Sequence, residues 1–304
     1  MVPIISRRHK TRFYAAVILL PLFFLAISVL MISGVATKRA GNGGVVYGVI
    51  VVCASIYFIY IYFRNVPVIK IDDRHISFNK THFLLADITD IQLTGKHNFP
   101  FVGTFLMESA MIKFTNGQTR FIYAGMYENS WEIRSYLQQV IIDKKAFTMQ
   151  PESALQQTEP DSEVFGTYKG NQFLTMQGIM LWVIIAFFTF LALKAAMVAV
   201  FVFAGLFMSF MFYVLSRQMN YFKLSSNYLV VRNHNFFWKK DVYRLADIRE
   251  VVFETRIKMP ISLRVITRQY HDKLYPGDTL TRKTWHVLKA DLESKNIQVR
   301  DECL

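Results

Sequence analysis

Cysteine is nearly missing from this 304-residue chain, which has only Cys53 and Cys303. Cys53 lies inside an uncharged apolar run and Cys303 near the chain's end, so no disulfide framework and no CxxC pair can be drawn, and two free thiols are expected. The seven histidines (9, 75, 82, 97, 234, 271 and 286) have no metal-ligand spacing; His75 and His82 merely stand seven apart across a predicted strand turn. A GxxxxGK[ST] loop, a GxSxG elbow, an HExxH helix and a GxGxxG after a strand are all absent. No cofactor, metal or catalytic residue is expected, and the reading is of a protein that is not an enzyme. Charge is scarce as well: 19% of residues are Asp, Glu, Lys or Arg, against 53% hydrophobic and 15% aromatic, with a mean hydropathy of +0.25. That balance is too apolar for an ordinary soluble domain.

The missing charge is concentrated in four stretches. Phe13–Ala36, Val45–Phe63, Gln172–Leu193 and Ala195–Leu215 contain no Asp, Glu, Lys, Arg or His. As helices rising 1.5 Å per residue, each is long enough to cross a hydrocarbon core about 30 Å thick. They form two pairs, read as two transmembrane hairpins. The first run is too long for a cleaved signal peptide and is followed at once by another span, so it is expected to be a retained signal anchor. The lack of ionisable groups at depth argues against an ion or proton path within one chain.

Arg7, Arg8, Lys10 and Arg12 precede the first run, Arg64 and Lys70 follow the second, Lys169 precedes the third, and Arg217 and Lys223 follow the fourth. The two hairpin loops hold only Lys38, Arg39 and Lys194. The positive-inside rule then places the N-terminus, both polar segments and the C-terminus in the cytoplasm. The net charge of +13 is uneven: residues 64–142 carry +1 and residues 217–304 carry +7. A basic domain beside a cytoplasmic leaflet is drawn to anionic lipid, and a solvated basic surface is the plainer alternative. No helix-turn-helix, zinc-finger or RNP-like pattern supports nucleic acid.

The chain repeats itself. LADITDI at 85–91 returns as LADIREV at 245–251, IKIDDRHISF at 69–78 matches FKLSSNYLVV at 222–231, and Trp131 and Trp285 each follow a Tyr-x-Gly. The offsets of 160, 153 and 154 differ by loop-sized insertions, so the chain reads as two copies of a helical hairpin followed by a cytoplasmic domain. Within each domain the period is two: VIKIDDRHISF is strand-turn-strand, LADITDIQL a strand entered through a turn, and MIKFTNGQTRFIY a hairpin whose Asn116-Gly117 suits a type I′ turn. The period lengthens at the end. Ser130–Ile142, with Ser130 as N-cap, and Thr284–Leu292, capped by Thr281 or Thr284, read as helices.

The second copy, YFKLSSNYLVVRNHNFFWKKDVYRLADIREVVF, resembles the bacterial PH-like domains also known as bacterial membrane-flanked domains. The elements that carry the resemblance are an opening strand at Tyr221–Arg232, a turn at Asn233–Asn235, a basic strand at Phe236–Val242 and the Leu-x-Asp-Ile strand at Leu245–Phe253. Copy one departs from the pattern, being seven residues shorter between Ile71 and Leu85, which predicts a curtailed second strand. The resemblance implies an α+β membrane protein: four transmembrane helices in two hairpins plus two cytoplasmic PH-like β-sandwich or barrel domains, each closed by a C-terminal helix. It also implies a binding or assembly platform, and it carries no catalytic residues.

The expected divisions are 1–63 (basic N-terminus and hairpin 1), 64–142 (PH-like domain 1), 143–170 (flexible linker), 171–215 (hairpin 2) and 216–304 (PH-like domain 2). Asp87 and Asp247, the only acids at matched motif positions, read as turn residues. Phe236, Phe237, Trp238, Lys239 and Lys240 mix aromatics and base as a membrane- or partner-contacting turn would; alternate packing into a sheet core is the competing reading. Lys96–Met107 is an apolar connector suited to the core, the membrane, copy two or a partner. Gly44 and Gly48, Ala195 and Ala199, and Gly205 and Ser209 are candidate helix-packing pairs, within the chain or between subunits. The functional expectation is a multi-pass protein of a bacterial plasma membrane that binds a protein partner, anionic lipid headgroups, or both, to organise a complex. An oligomeric channel or transporter component is the alternative.

Overall fold

The uncharged runs are helical. A computed structural model describes residues 3–32, 41–101, 103–148, 163–195, 197–255 and 260–304, and it contains four helices long and apolar enough to cross a membrane. These candidate spans are Arg12–Leu30, Val45–Asn65, Met176–Ala195 and Val198–Ser216. The hairpin-loop residues Lys38 and Arg39 and half of the expected linker, 149–162, lie outside the described residues. The polar segments form mixed sheet and helix, and the chain divides into two units, Met1–Gln150 and Pro151–Leu304.

In the first unit, strand β1 (Ile4–Ile5) comes before helix α1 (Arg12–Tyr14), a π-helical turn at Ala15–Leu19 and helix α2 (Leu20–Ile32). Helix α3 (Gly41–Asn65) packs on α2 and leads into β2 (Ile69–Ile71), β3 (His75–Phe78) and β4 (Thr81–Leu84). These strands make an antiparallel sheet in the order β1-β2-β3-β4. A 3-10 turn at Leu85–Asp87 precedes the second sheet, made of β5 (Ile88–Gln92), β6 (Lys96–Phe101), β7 (Gly103–Phe114) and β8 (Thr119–Tyr123). Helix α4 (Ser130–Leu137) follows, ending in a π-helical turn at Gln138–Ile142.

The second unit follows the same order through its first sheet and the 3-10 turn, and differs in its second sheet. Strand β9 (Gly166–Tyr168) precedes α5 (Met176–Ala195) and α6 (Val198–Ser216), which pack together. Strands β10 (Asn220–Leu224), β11 (Tyr228–Asn233) and β12 (Lys240–Arg244) complete a sheet in the order β12-β11-β10-β9. After a 3-10 turn at Leu245–Asp247 come β13 (Ile248–Glu254), β14 (Ser262–Thr267), β15 (Asp272–Pro276), helix α7 (Arg282–Ser294) and β16 (Gln298–Asp301). Strand β16 adds in parallel to β13.

The sheet registers move the start of the repeat. Ile4 pairs with Ile71 as Gly166 pairs with Leu224, and Ile5 with Lys70 as Thr167 with Lys223. Each module therefore begins with a strand upstream of its helix pair, and the two helices are inserted between the first and second strands of the sheet. This corrects the divisions at 1–63 and 143–170: Ile4–Ile5 belongs with the first sheeted unit and Gly166–Tyr168 with the second. Two or three residues carry too little periodicity to be read as strand; only the register shows them.

Other expectations shift as well. The seven-residue deficit of copy one is resolved into four residues of connection, since β3 and β4 are joined by Asn79-Lys80 and β11 and β12 by His234–Lys239, with the remaining three in shorter strands. Asn79 takes a left-handed φ of 54° to make that tight turn. Phe236–Lys239 is loop, with β12 starting only at Lys240, so the basic strand expected at Phe236–Val242 is shorter than its sequence suggested. In Asn116-Gly117 only Gly117 has a positive φ, 77°, and the Gly117 amide donates to the Phe114 carbonyl while Phe114 pairs with Gln118. The connection is thus a three-residue loop with a left-handed glycine, where a type I′ turn would need both residues left-handed. Both LADI phrases are 3-10 turns, tied by backbone: the amides of Thr115 and Arg268 donate to the carbonyls of Asp87 and Asp247.

The second unit's core lies between its two sheets and α7. Trp285, 1% exposed, meets Phe222 and Phe253 at centroid distances of 5.3 and 5.7 Å, with Leu288 and Leu292 on the same helical face. Thr281 caps α7 through its hydroxyl, which accepts from the Thr284 amide at 3.2 Å. In α4 the counterpart Trp131 is half-buried, while Ile133, Tyr136 and Leu137 fill the interior; Ser130 is the first helical residue and Asn129 the cap position.

Of the small residues expected to mediate helix packing, Gly48 is buried and stands seven residues from buried Ser55 on one face of α3, whose hydroxyl donates back to the Val51 carbonyl. Gly44 is in the first turn of the same helix. Ala195 ends α5 whereas Ala199 is in α6, so the two do not share a helix, and both are exposed. Gly205 has open space where a Cβ would stand, and Ser209 is exposed. The face of α6 toward α5 runs one position earlier, about 100° round the helix. There Ala204 is buried, Phe207 meets Phe188 at 4.6 Å, and Met208 accepts from the Thr189 hydroxyl.

Candidate functional site

A helix that ends at the start of a domain leaves its last carbonyls without intrahelical partners. In the second unit two asparagines supply them, and a third holds the Ser216 side chain. Asn233 Nδ2 donates to the Ser216 carbonyl at 2.8 Å and to Asn220 Oδ1 at 3.1 Å, and Asn220 Nδ2 donates to the carbonyls of Arg217 and Pro276. Asn235 Nδ2 donates to the Ser216 hydroxyl, while Asn233 Oδ1 accepts from the amides of Asn235 and Phe236. The turn in NHNFFWKK is thereby fastened to the end of α6.

That fastening decides the aromatic stretch. Phe236 is 7% exposed and packs on Phe212 and Tyr213 of α6, with ring centroids 6.1 and 6.0 Å away. Phe237 and Trp238 project outward, 79% and 65% exposed. Lys239 is exposed, its ammonium 4.7 Å from the Phe236 ring centre and 5.9 Å from that of Tyr213; Lys240 begins β12. Alternate burial into a sheet does not occur here, because these residues form a loop. Two large exposed rings, in edge contact with each other at 5.0 Å and beside a lysine next to the end of an apolar helix, make an amphipathic edge.

Beside this loop lies a cavity of about 610 Å³ that sequence reading missed. Its cations are Lys169 and Arg232, with His234, Asn171, Asn233 and the rim residue Phe237. Lys169 follows β9 and precedes α5, and Arg232 comes from β11, so only the sheet register brings them together. The Lys169 ammonium stands 5.4 Å from the Tyr221 ring centre, and that ring lies 4.9 Å from His234. Burial, reinforced by the charge of Lys169, pushes the His234 imidazole down to about 4, so it is neutral at pH 7; its Nε2 lies 3.2 Å from the Thr279 hydroxyl. The floor tolerates no bulk at Gly170, where a Cβ would stand 1.5 Å from the Thr279 carbonyl oxygen. Two fixed positive charges, amide donors and an apolar rim suit an oxyanion attached to an apolar body.

The first unit has a related feature at the equivalent edge. Arg64 at the end of α3, Lys80 in the β3–β4 turn and Arg120 of β8 line a cavity of about 620 Å³ with Phe78, Asn79 and Thr81. The N-terminal basic cluster is used differently from the expectation of a simple positive flank: the Arg8 guanidinium donates twice to the Val66 carbonyl, at 3.0 and 2.9 Å, and covers the rings of Phe13 and Phe63. It caps α3. The apolar connector Lys96–Met107 forms β6 and the start of β7. Phe99 is buried against Tyr62 of α3 and Tyr123, Asn65 donates to the Pro100 carbonyl, and Phe105 and Leu106 are exposed. Both units thus show exposed apolar side chains at the helix-proximal end, from the start of β7 in one and the β11–β12 loop in the other. No protein-family model and no curated protein sequence matches the chain, so the site rests on its own geometry.

Proposed function

We propose that the chain is a non-enzymatic, multi-pass protein of a bacterial plasma membrane, a platform whose two cytoplasmic PH-like domains are each built around a transmembrane hairpin, and whose second domain seats on anionic lipid headgroups. The observation that carries this reading is the convergence of Lys169, Arg232, Lys239, Phe237 and Trp238 at the end of α6 in the second unit. On this reading the two rings enter the boundary between headgroups and acyl chains, where aromatic side chains are favoured. The cations meet phosphates, each contributing about 1 kcal/mol near an anionic surface. The duplicated order of strands and closing helix supports the PH-like assignment, and the excess of base in the second copy supports a division of labour between the two domains. The channel alternative has no comparable support, since the described spans carry Asp, Glu, Lys or Arg only near their ends.

Native mass spectrometry of the full chain tests the proposal. Released from mixed phosphatidylglycerol and phosphatidylcholine nanodiscs, the protein should retain phosphatidylglycerol preferentially, and K169Q/R232Q should lose that preference. Equal retention of the two lipids by the unaltered chain, or an undiminished preference in the variant, would overturn it.

A further inference from the structure

The second unit has another cationic cavity at the opposite end of its strands. The turns after β10, β12 and β14 and the end of α7 converge there on a space of about 410 Å³, lined by Arg249, Arg268, Lys295, Ser226, Asn296 and Gln298. Strands β10 and β12 run to it from the helix-proximal end, and five residues at about 3.3 Å each carry the chain roughly 15–20 Å away. Headgroups around α5 and α6 are out of reach of this cavity if those helices cross the membrane.

The duplication supplies an internal control on what the fold itself needs. At the positions matching Arg249 and Arg268, the first unit has Thr89 and Thr115. The match is structural as well as sequential, because the Thr115 amide donates to the Asp87 carbonyl as the Arg268 amide donates to that of Asp247. The same strand start and turn therefore form without either arginine. Lys295 alone would be explained by the negative end of α7, which favours a cation. Arg249, at the start of β13, and Arg268, in the β14–β15 turn, have no such reason. The Arg249 guanidinium is held over the Tyr270 ring at 4.6 Å, and Arg268 is exposed. Asp247 is in the turn before β13, and the Glu163 carboxylate accepts from Asn227 Nδ2 at 2.8 Å and lies in the field of Lys295.

We infer that this cavity is a docking site for an acidic segment of a protein partner, several carboxylates meeting the three cations while Asn296, Gln298 and Ser226 offer hydrogen bonds. Three charges from three different elements, the start of β13, the β14–β15 turn and the end of α7, spread around one opening, fit a chain of carboxylates better than a single anion. The inference depends on the membrane reading only for the direction from which the partner comes; the site itself does not require lipid binding.

The test uses the full chain in detergent and a short fluorescein-labelled Glu/Asp peptide, followed by fluorescence anisotropy at low and physiological salt. R249T/R268T installs the first unit's residues; R282T/K283T removes the same charge from the exposed start of α7. The inference expects the first variant to weaken binding by about tenfold or more and the second by less than about twofold, with melting temperatures unchanged. K295Q gives an independent loss should R249T/R268T prove unstable. Equal weakening by the two charge-matched variants would reduce the attraction to net charge and overturn the site. So would absence of binding at physiological salt, or full displacement of the peptide by millimolar inorganic phosphate, which would mark a small-anion site instead.

Discussion

Trp238 offers the sharpest test of the helix-proximal edge. A tryptophan side chain presents up to about 250 Å², and Trp238 is 65% exposed. If about half of that exposed area enters the membrane boundary, some 75 Å² leaves water, which at about 25 cal/mol per Å² contributes roughly 2 kcal/mol. Since 1.4 kcal/mol is a factor of ten, W238A should shift the ratio of seated to unseated loop by about 30-fold. The assay places a spin label at Phe237→Cys in a C53S/C303S background, with the full chain in anionic nanodiscs, and compares collision with oxygen and with a water-soluble nickel chelate. The label should behave as an interfacial residue, and adding W238A should move it toward water. A label at Arg244→Cys, exposed at the far end of β12, provides the aqueous reference. If Phe237→Cys matches that reference before Trp238 is touched, the rings do not seat in the bilayer and the reasoning fails.

Asn233 makes four side-chain hydrogen bonds, one to the Ser216 carbonyl of α6, one to Asn220 and two from the Asn235 and Phe236 amides of its own loop, so N233A should cost about 2–3 kcal/mol, with buried groups left unpaired; a loss under about 0.5 kcal/mol in denaturant unfolding would contradict that role. The two Tyr-x-Gly glycines should behave differently. A Cβ at Gly277 would lie 2.5 Å from the Trp285 ring, so G277A should destabilise by about 1–3 kcal/mol through overpacking, whereas at Gly125 the nearest atom is a flexible Arg12 guanidinium nitrogen at 3.4 Å and G125A should be near neutral in the same thermal melt. The His234 imidazole is held down to about 4, chiefly by burial, against 6.5 unfolded. Its neutral form therefore stabilises the fold above pH 6.5, and that contribution is lost as pH falls toward 4. Half-exposure reduces the effect to roughly 1–2 kcal/mol, and H234Q should flatten this part of the stability-pH curve; an unchanged curve would assign the acid sensitivity elsewhere.

Much of the architecture was legible because it rests on local signals. Twenty uncharged apolar residues announce a helix long enough to span, period-two alternation announces strands, and a phrase such as LADI repeated 160 positions on announces duplication. The aromatic and basic character of Phe236–Lys240 could be read in the same way. Its three-dimensional meaning could not, because burial of Phe236 and exposure of Phe237 and Trp238 depend on where Asn233 and Asn235 fasten the turn. Helix-packing pairs chosen by spacing went astray at Ala195 and Ala199, since the helix boundary falls between them and spacing counts only within one helix.

Composition and periodicity determined the four apolar helices, the two-fold repeat and the excess of base in the second copy, since each is a property of consecutive residues. Tertiary structure alone decided that Ile4–Ile5 and Gly166–Tyr168 begin the modules, and that Lys169 joins Arg232 while Arg249 joins Arg268 and Lys295. Those groupings follow from strand register and from turns that converge at the two ends of a sheet, and residues brought together that way leave no periodic trace along the chain.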